Sequence, residues 1–303
     1  MDIYRELRYL YRSIFFYRKP LAYVYNRFFT NVRIRRLFAA GRASPPAARE
    51  DYTVHFLTCH RDMDMLLWSL GSWFHFVPDS GKVYIHDDGT LTGADRELLK
   101  SYDPDLVIID YAKSSEAVLE KLRGFPRAHA SRGKSLADKR YVFNLKLIDP
   151  LFAGGSGCKL ILDSDLLWFQ RPVALLEALS QNRLPVFMGG FGEMDFKFSD
   201  GSVLPAEIAG VNSGIVGYRQ DDFSLPVLEE FFARVGDDTN PHFVEQAGYA
   251  YILTRSKKPN FLPAGKYLIK GRVGGETAMK HYTSPRREQF WFEGVKLLKD
   301  KLL

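Results

Sequence analysis

The sequence predicts an α/β fold with a mixed central sheet, preceded by N-terminal amphipathic helices. Three observations carry this. Short apolar runs alternate with helical stretches from Thr53 to about residue 123, the pattern turns mixed after about Gly190, and the first 43 residues space their apolar side chains helically. At 303 residues, 46% hydrophobic and 26% charged, the chain can bury a substantial core, which excludes a disordered or fibrous protein.

In residues 1–43, Ile3, Leu7, Leu10, Ile14, Tyr17, Leu21, Val24 and Phe28 alternate spacings of four and three and lay one apolar stripe along a helix. Arg5, Arg12 and Lys19 recur every seven residues on another face, and Pro20 divides the pattern into two helices. This segment holds ten basic and two acidic residues, a net +8, which leaves the remaining 260 residues at −2 of the overall +6. A basic surface spread over the whole fold, as a nucleic-acid binder needs, is thereby excluded as a partner surface.

Eleven aromatic residues sit among these arginines, a mixture suited to the boundary between lipid headgroups and acyl chains. The expected partner of residues 1–43 is an anionic membrane surface; the competing expectations are packing on the body of the chain or a homodimer through the heptad spacing. Residues 41–50, rich in Ala, Pro and Arg, read as a linker, which places a catalytic-type domain at 52–303. No run of 18 to 20 uncharged apolar residues occurs, because Arg18 and Lys19 interrupt the best candidate, and no signal-peptide cleavage pattern follows. Cys59 and Cys158 lie far apart without metal-ligand spacing, which points to a reducing compartment. The expected location is therefore cytoplasmic, peripheral on the inner face of a membrane.

In the body, strands are expected at 54–58, 83–86 and 106–110, with helices near 62–76, 92–101 and 114–123 between and after them. A longer helix is expected over 135–152, leading into the strand Lys159-Leu160-Ile161-Leu162, which ends in Asp163-Ser164-Asp165. Ligands of open α/β sheets gather at the carboxyl ends of strands.

Three Asp-x-Asp triplets occur. Asp62-Met63-Asp64 begins a helix, where acidic residues complement the dipole, and Asp103-Pro104-Asp105 sits in a turn. Asp163-Ser164-Asp165 differs, for it ends an apolar strand and has no adjacent Lys or Arg. Two carboxylates placed there require a cation, and such oxygen ligands select Mg²⁺ or Mn²⁺, with a diphosphate as the natural further ligand.

The segment Leu160 to Pro172 resembles the metal-binding strand of the GT-A glycosyltransferases, which use nucleotide-sugar donors, close to the glycogenin and galactosyltransferase-like families. Asn212-Ser213-Gly214 is similar to their Asn-[Ser/Ala]-Gly turn beside the donor sugar. His281-Tyr282 with Arg286, Arg287 and Trp291 resembles their late His-plus-basic motif, with Arg where a Lys is usual. Lys146 lies where these families carry a donor-reaching cation, and Glu245-Gln246 resembles their Asp-Gln pair with one substitution. The resemblance spans roughly Thr53 to Trp291 on about five short motifs.

It implies a GT-A, Rossmann-like fold and a hexosyltransferase-type enzyme acting on a glycan or lipid-linked acceptor, with Mn²⁺ or Mg²⁺ as cofactor and a nucleotide-sugar donor, UDP-sugars favoured. The metal would rest on Asp163, Asp165 and His281. The donor would meet Thr58, His60, Arg61, Asp87, Lys146, Asp163, Ser164, Asn212, Ser213, Gly214, Arg286 and Arg287, with Glu245 and Gln246 as the catalytic pair. His86-Asp87-Asp88-Gly89 equally reads as an Asp-Gly turn, and residues 58–61 equally as a helix N-cap region. Glu193, Asp195, Glu207 and Glu245 are the available bases for an inverting reaction. The rival reading is an inactive nucleotide-sugar-binding or scaffolding protein on the same fold; a sugar nucleotidyltransferase is disfavoured because no Gly-rich nucleotide loop follows residues 54–58.

Overall fold

The computed structural model describes residues 3–42, 49–155, 157–190, 196–236 and 241–303. Glu193 and Asp195, two of the expected bases, and most of the expected linker lie outside these residues.

The chain opens with helices α1 (Ile3–Phe15), α2 (Pro20–Val24), a π-helical turn (Tyr25–Thr30) and α3 (Asn31–Ala40). There follow β1 (Arg49–Thr58), α4 (Met63–Phe76), β2 (Gly81–Asp87), α5 (Gly93–Tyr102), β3 (Val107–Ile109), α6 (Tyr111–Lys121), α7 (Pro126–Ala137) and α8 (Phe143–Ile148). Next come β4 (Cys158–Asp163), β5 (Leu166–Trp168), α9 (Val173–Ser180), β6 (Val186–Gly189), α10 (Ala206–Ala209) and β7 (Val211–Arg219). The chain closes with α11 (Leu225–Arg234), α12 (Pro241–Leu253), β8 (Asn260–Phe261), β9 (Tyr267–Leu268), β10 (Met279–His281) and α13 (Lys296–Leu302).

Seven strands form one sheet in the order β3-β2-β1-β4-β7-β6-β8. The β3-β2-β1-β4 half is parallel, as the βα alternation predicts, whereas β7 runs antiparallel to both β4 and β6. The sheet is mixed, as expected from the change of pattern late in the sequence. Side chains alternate across it: Leu160 and Leu162 join one apolar cluster with α4 and α9, while Ile161 joins another with α8, α11 and α12. The strands therefore read as continuous apolar runs, and their polar ends are where chemistry can be placed.

Sequence caps fix several helix starts. Thr92 and Asp95 form a capping box on α5, Asp110 caps α6 and Ser224 caps α11. The long helix expected over 135–152 does not form. Asp138 ends α7 and accepts from the Arg140 N–H, which starts a short 3₁₀ turn, and Pro150 sits in a second 3₁₀ turn after α8. A local side-chain bond and a missing donor outweigh helix-favouring composition here.

The N-terminal helices pack on the body by a face beside the apolar stripe, and Leu10, Tyr17 and Val24 of the stripe itself are half-buried against the body. Glu6, Tyr9 and Ser13 of α1 are buried, as are Tyr23, Asn26 and Arg27 beyond it, whereas Ile3, Leu7, Ile14, Leu21 and Phe28 are exposed, Leu21 to 85%. Arg27 donates to Glu6 (2.8 Å) and Asp64 (2.7 Å), Arg5 to Asp62 (2.5 Å) and Arg12 to Glu288 (2.8 Å). Each buried charge thus finds a partner of opposite sign, which is the condition for burying it at all. The stripe is used for packing only in part: Leu10, Tyr17 and Val24 touch the body, while matched charges and the rings of Tyr9 and Tyr23 hold the neighbouring face.

Candidate active site at the ends of β4 and β10

The carboxyl end of β4 delivers Asp163, and the chain then turns through Ser164 and Asp165 into β5, which leaves the main sheet for a small one of order β5-β10-β9. Register does the positioning. Leu166 pairs with His281 across antiparallel β5 and β10, so the last residue of β10 lands beside the aspartates. His281 Nε2 lies 3.3 Å from Asp163 Oδ2 and 3.1 Å from Asp165 Oδ1. One ligand atom from each of the three residues falls within 4.8 Å of the others.

The other ring nitrogen, Nδ1, lies 3.1 Å from Asn212 Oδ1, which already accepts from the Gly214 N–H at 3.0 Å. An oxygen accepting twice requires Nδ1 to carry a proton, which aims Nε2 at the two carboxylates. Gly214 is needed for this contact: a Cβ there would stand 2.6 Å from Nδ1. Burial pushes the imidazole pKa down, but Asp165 and Asp163 overcome it and raise it to about 9. Without metal, the ring is therefore an imidazolium clasped by two carboxylates.

Behind this cluster lies a second one. Lys146 of α8 is buried, not solvated: its Nζ lies 2.7 Å from Asp163 Oδ1 and 3.0 Å from Glu245 Oε1, and donates to the Ser213 carbonyl at 2.7 Å. Burial opposes its charge, but Asp163 and Glu245 hold its pKa above the usual lysine value. Ser213 Oγ donates to the other Glu245 oxygen at 2.8 Å, and Gln246 Oε1 accepts from the Ser213 N–H at 3.3 Å. Burial raises the Glu245 pKa against the pull of Lys146. Asp163 is held below the usual carboxylate range, because Lys146 and His281 outweigh its desolvation.

On the opposite side, Arg287 Nε donates to Asp165 Oδ2 at 3.0 Å and its Nη2 to Asp62 Oδ2 at 3.0 Å. Asp62 in turn accepts from Arg5 of α1. The sequence offers no sign of this. Asp62 reads as an ordinary helix start, and nothing in residues 1–43 points to Asp165.

The structure thus brings together Lys146, Asp163, Asp165, Asn212, Ser213, Gly214, Glu245, Gln246, His281 and Arg287. The other expected donor residues lie at the same sheet edge, where Leu57 pairs with Asp163 and Thr58 with Asp87, and carry contacts of their own. Asp87 Oδ1 accepts from the N–H groups of Gly89, Thr90 and Leu91, and its other oxygen meets Arg96, the Asp-Gly turn in full. His60 Nδ1 lies 2.6 Å from Asp95, and the Thr58 carbonyl accepts from the Asp88 N–H. Arg61 gives its carbonyl to Arg5 at 2.7 Å. Ser164 is buried between the two aspartates, and Arg286 precedes Arg287 in the turn after β10.

No family model and no curated protein matches the chain. Among solved structures it is similar to mouse xyloside xylosyltransferase 1 (12% identity, 78% of this chain, 98% of that one, TM-score 0.45). It is also similar to the galactosyltransferase LgtC in complex with donor and acceptor sugar analogues (13%, 82% and 96%, TM-score 0.49). A third is core-mannan synthase A of Aspergillus fumigatus in an Mn/GDP form (10%, 87% and 88%, TM-score 0.45). At these values the likeness identifies no reaction and no substrate for this chain.

The donor set fits a divalent cation. Two carboxylate oxygens and one imidazole nitrogen converge, and the ring can give up its proton to bind a cation there. Oxygen-rich sets with a single imidazole suit Mn²⁺ or Mg²⁺ rather than a thiophilic metal.

Proposed function

We propose that the protein is a metal-dependent glycosyltransferase that moves a sugar from a nucleotide-diphosphate donor, UDP-sugars first, to a glycan or lipid-linked acceptor at a membrane surface. The observation that carries the reading is the convergence of Asp163, Asp165 and His281 beside the buried Lys146–Glu245 pair.

Asp163, Asp165 and His281 would hold Mn²⁺ or Mg²⁺, which supplies positive charge to the diphosphate as the sugar departs. The bond from the anomeric carbon to the diphosphate oxygen breaks with its electron pair kept by the nucleoside diphosphate, a bond to the acceptor hydroxyl oxygen forms, and the hydroxyl proton passes to the departing diphosphate or to a carboxylate base. This chain's residues prepare that exchange. Lys146 neutralises Asp163 and Glu245 and fixes their positions. Asn212 sets the ring orientation of His281, and Arg287 holds Asp165 from the other side. Ser213, Gly214 and Gln246 form the polar wall nearest these groups, where the donor sugar would lie.

The exposed stripe of α1 and α2, with Arg18, Lys19 and Arg33 also exposed, supports peripheral docking on an anionic bilayer. Among the described residues no helix is long and apolar enough to cross a membrane. The test is hydrolysis of a panel of nucleotide sugars with Mn²⁺ or Mg²⁺. Turnover of one donor that disappears in Asp163→Ala with Asp165→Ala is expected; undiminished turnover in that variant would refute the reading.

A further inference from the structure

A cavity of about 340 Å³ opens between α1 and the turn that follows β10. Tyr4, Arg5, Arg8 and Tyr9 line it from α1, Arg61 from the end of β1, and Arg287 with Ser284 and Pro285 from the turn. Four arginines thus line one space, against two carboxylates bonded to them: Asp62, shared between Arg5 and Arg287, and Asp165, which accepts from Arg287. The cavity favours an anion, and planar guanidinium groups in this number match the oxygens of a phosphate.

Its place in the molecule says where that phosphate comes from. Two of the four arginines belong to α1, the helix whose outer face exposes Ile3, Leu7, Ile14 and Phe15. Tyr4 belongs to both surfaces: it lines the cavity and is 83% exposed beside the stripe. On the inner side, Arg287 bonds directly to Asp165. The cavity therefore lies between a lipid-seeking helix face and the metal cluster, and an amphiphile could meet the apolar stripe with its chain and the arginines with its headgroup.

We propose that this cavity binds the phosphate of a membrane-anchored acceptor, a long-chain lipid phosphate or diphosphate whose sugar is presented to the metal cluster. This rests on the glycosyltransferase reading and adds the acceptor's chemical class to it. The phosphate is held and not transferred; the acceptor's hydroxyl takes the sugar.

The test uses the full chain and phosphatidylcholine vesicles carrying a long-chain polyprenyl monophosphate, against vesicles of equal surface charge made with phosphatidylglycerol. Arg8→Gln is compared with Arg36→Gln, which removes the same charge from an exposed position on α3 that does not line the cavity. The expected result is tighter binding to the polyprenyl phosphate vesicles, a preference that Arg8→Gln lowers about fivefold and Arg36→Gln leaves in place. Equal binding to both vesicle types, or equal losses in both variants, would overturn the proposal. If Arg8→Gln weakens Mn²⁺-dependent UDP binding as much as vesicle binding, the cavity serves the donor and the proposal also falls. A wild-type chain that shows the lipid-phosphate preference but no Mn²⁺-dependent UDP binding would sink the transferase reading and leave the cavity's ligand standing.

Discussion

In the N-terminal helices, buried charges close upon one another: Glu6 meets Arg27, Arg27 meets Asp64, and Arg12 meets Glu288. At the ends of β4 and β10 they converge instead on shared space, with Asp163 and Asp165 both turned toward His281 Nε2. The first arrangement completes itself and fixes a helix to the body. The second contains two carboxylates around one titratable ring, so a stronger cation can replace the proton. Pairing builds structure, whereas convergence builds a site, and Asp62 joins the two because it accepts from Arg5 on one side and Arg287 on the other.

The largest effect that would break this contrast comes at the converging site. Asp163→Ala with Asp165→Ala should lower turnover about a thousandfold or more, measured as nucleotide-sugar hydrolysis on the folded fraction. The stability of the neighbouring cluster comes next. Lys146→Met leaves Asp163 and Glu245 buried without their cation and should cost about 3–5 kcal/mol in denaturant unfolding, with Lys146→Arg restoring part of it. In the closed network, Arg27→Met should cost a similar amount or slightly less, because Arg35 still neutralises Asp64 at 2.5 Å. Limited proteolysis should then cut within residues 16–40 first.

The pH dependence sharpens the same comparison. The His281 imidazolium, raised from 6.5 to about 9, stabilises the metal-free fold fully below about pH 6.5, and that contribution fades as the pH rises through about 9. Divalent-metal affinity should move oppositely, rising by up to about tenfold per pH unit between about 7 and 9 as the ring proton becomes easier to displace, and then levelling. Calorimetric Mn²⁺ titrations in buffers of different ionisation enthalpy would count the released proton. The smallest effect on stability is expected at the stripe: Leu21→Ser should change unfolding by less than about 0.5 kcal/mol, since Leu21 is 85% exposed, yet weaken binding to anionic vesicles.

Much of the body was legible because strand and helix signals there are physical necessities. Buried strands need unbroken apolar runs, so residues 54–58, 83–86 and 159–162 declare themselves. The Asp163-Ser164-Asp165 triplet stands out because it ends such a run. Lys146 was harder: on an amphipathic helix a lysine reads as solvated, and only the arrival of Asp163 and Glu245 from β4 and α12 makes its burial tolerable. The orientation of α1 was not legible at all. Periodicity states which face is apolar, but the buried face was chosen by Asp62 and Glu288, respectively 57 and 276 residues from Arg5 and Arg12. The broken helix over 135–152 turned on the cap at Asp138 and on Pro150, whose effects exceed the propensity of their neighbours.

The converging carboxylates and imidazole are expected to hold a metal that in turn holds a nucleotide diphosphate. Calorimetric titration of UDP into the full chain, with Mn²⁺ and without it, measures this. Binding that requires Mn²⁺ in the wild type and vanishes in Asp163→Ala with Asp165→Ala is the predicted result. Binding of equal strength with and without Mn²⁺, or retained in that variant, would contradict it.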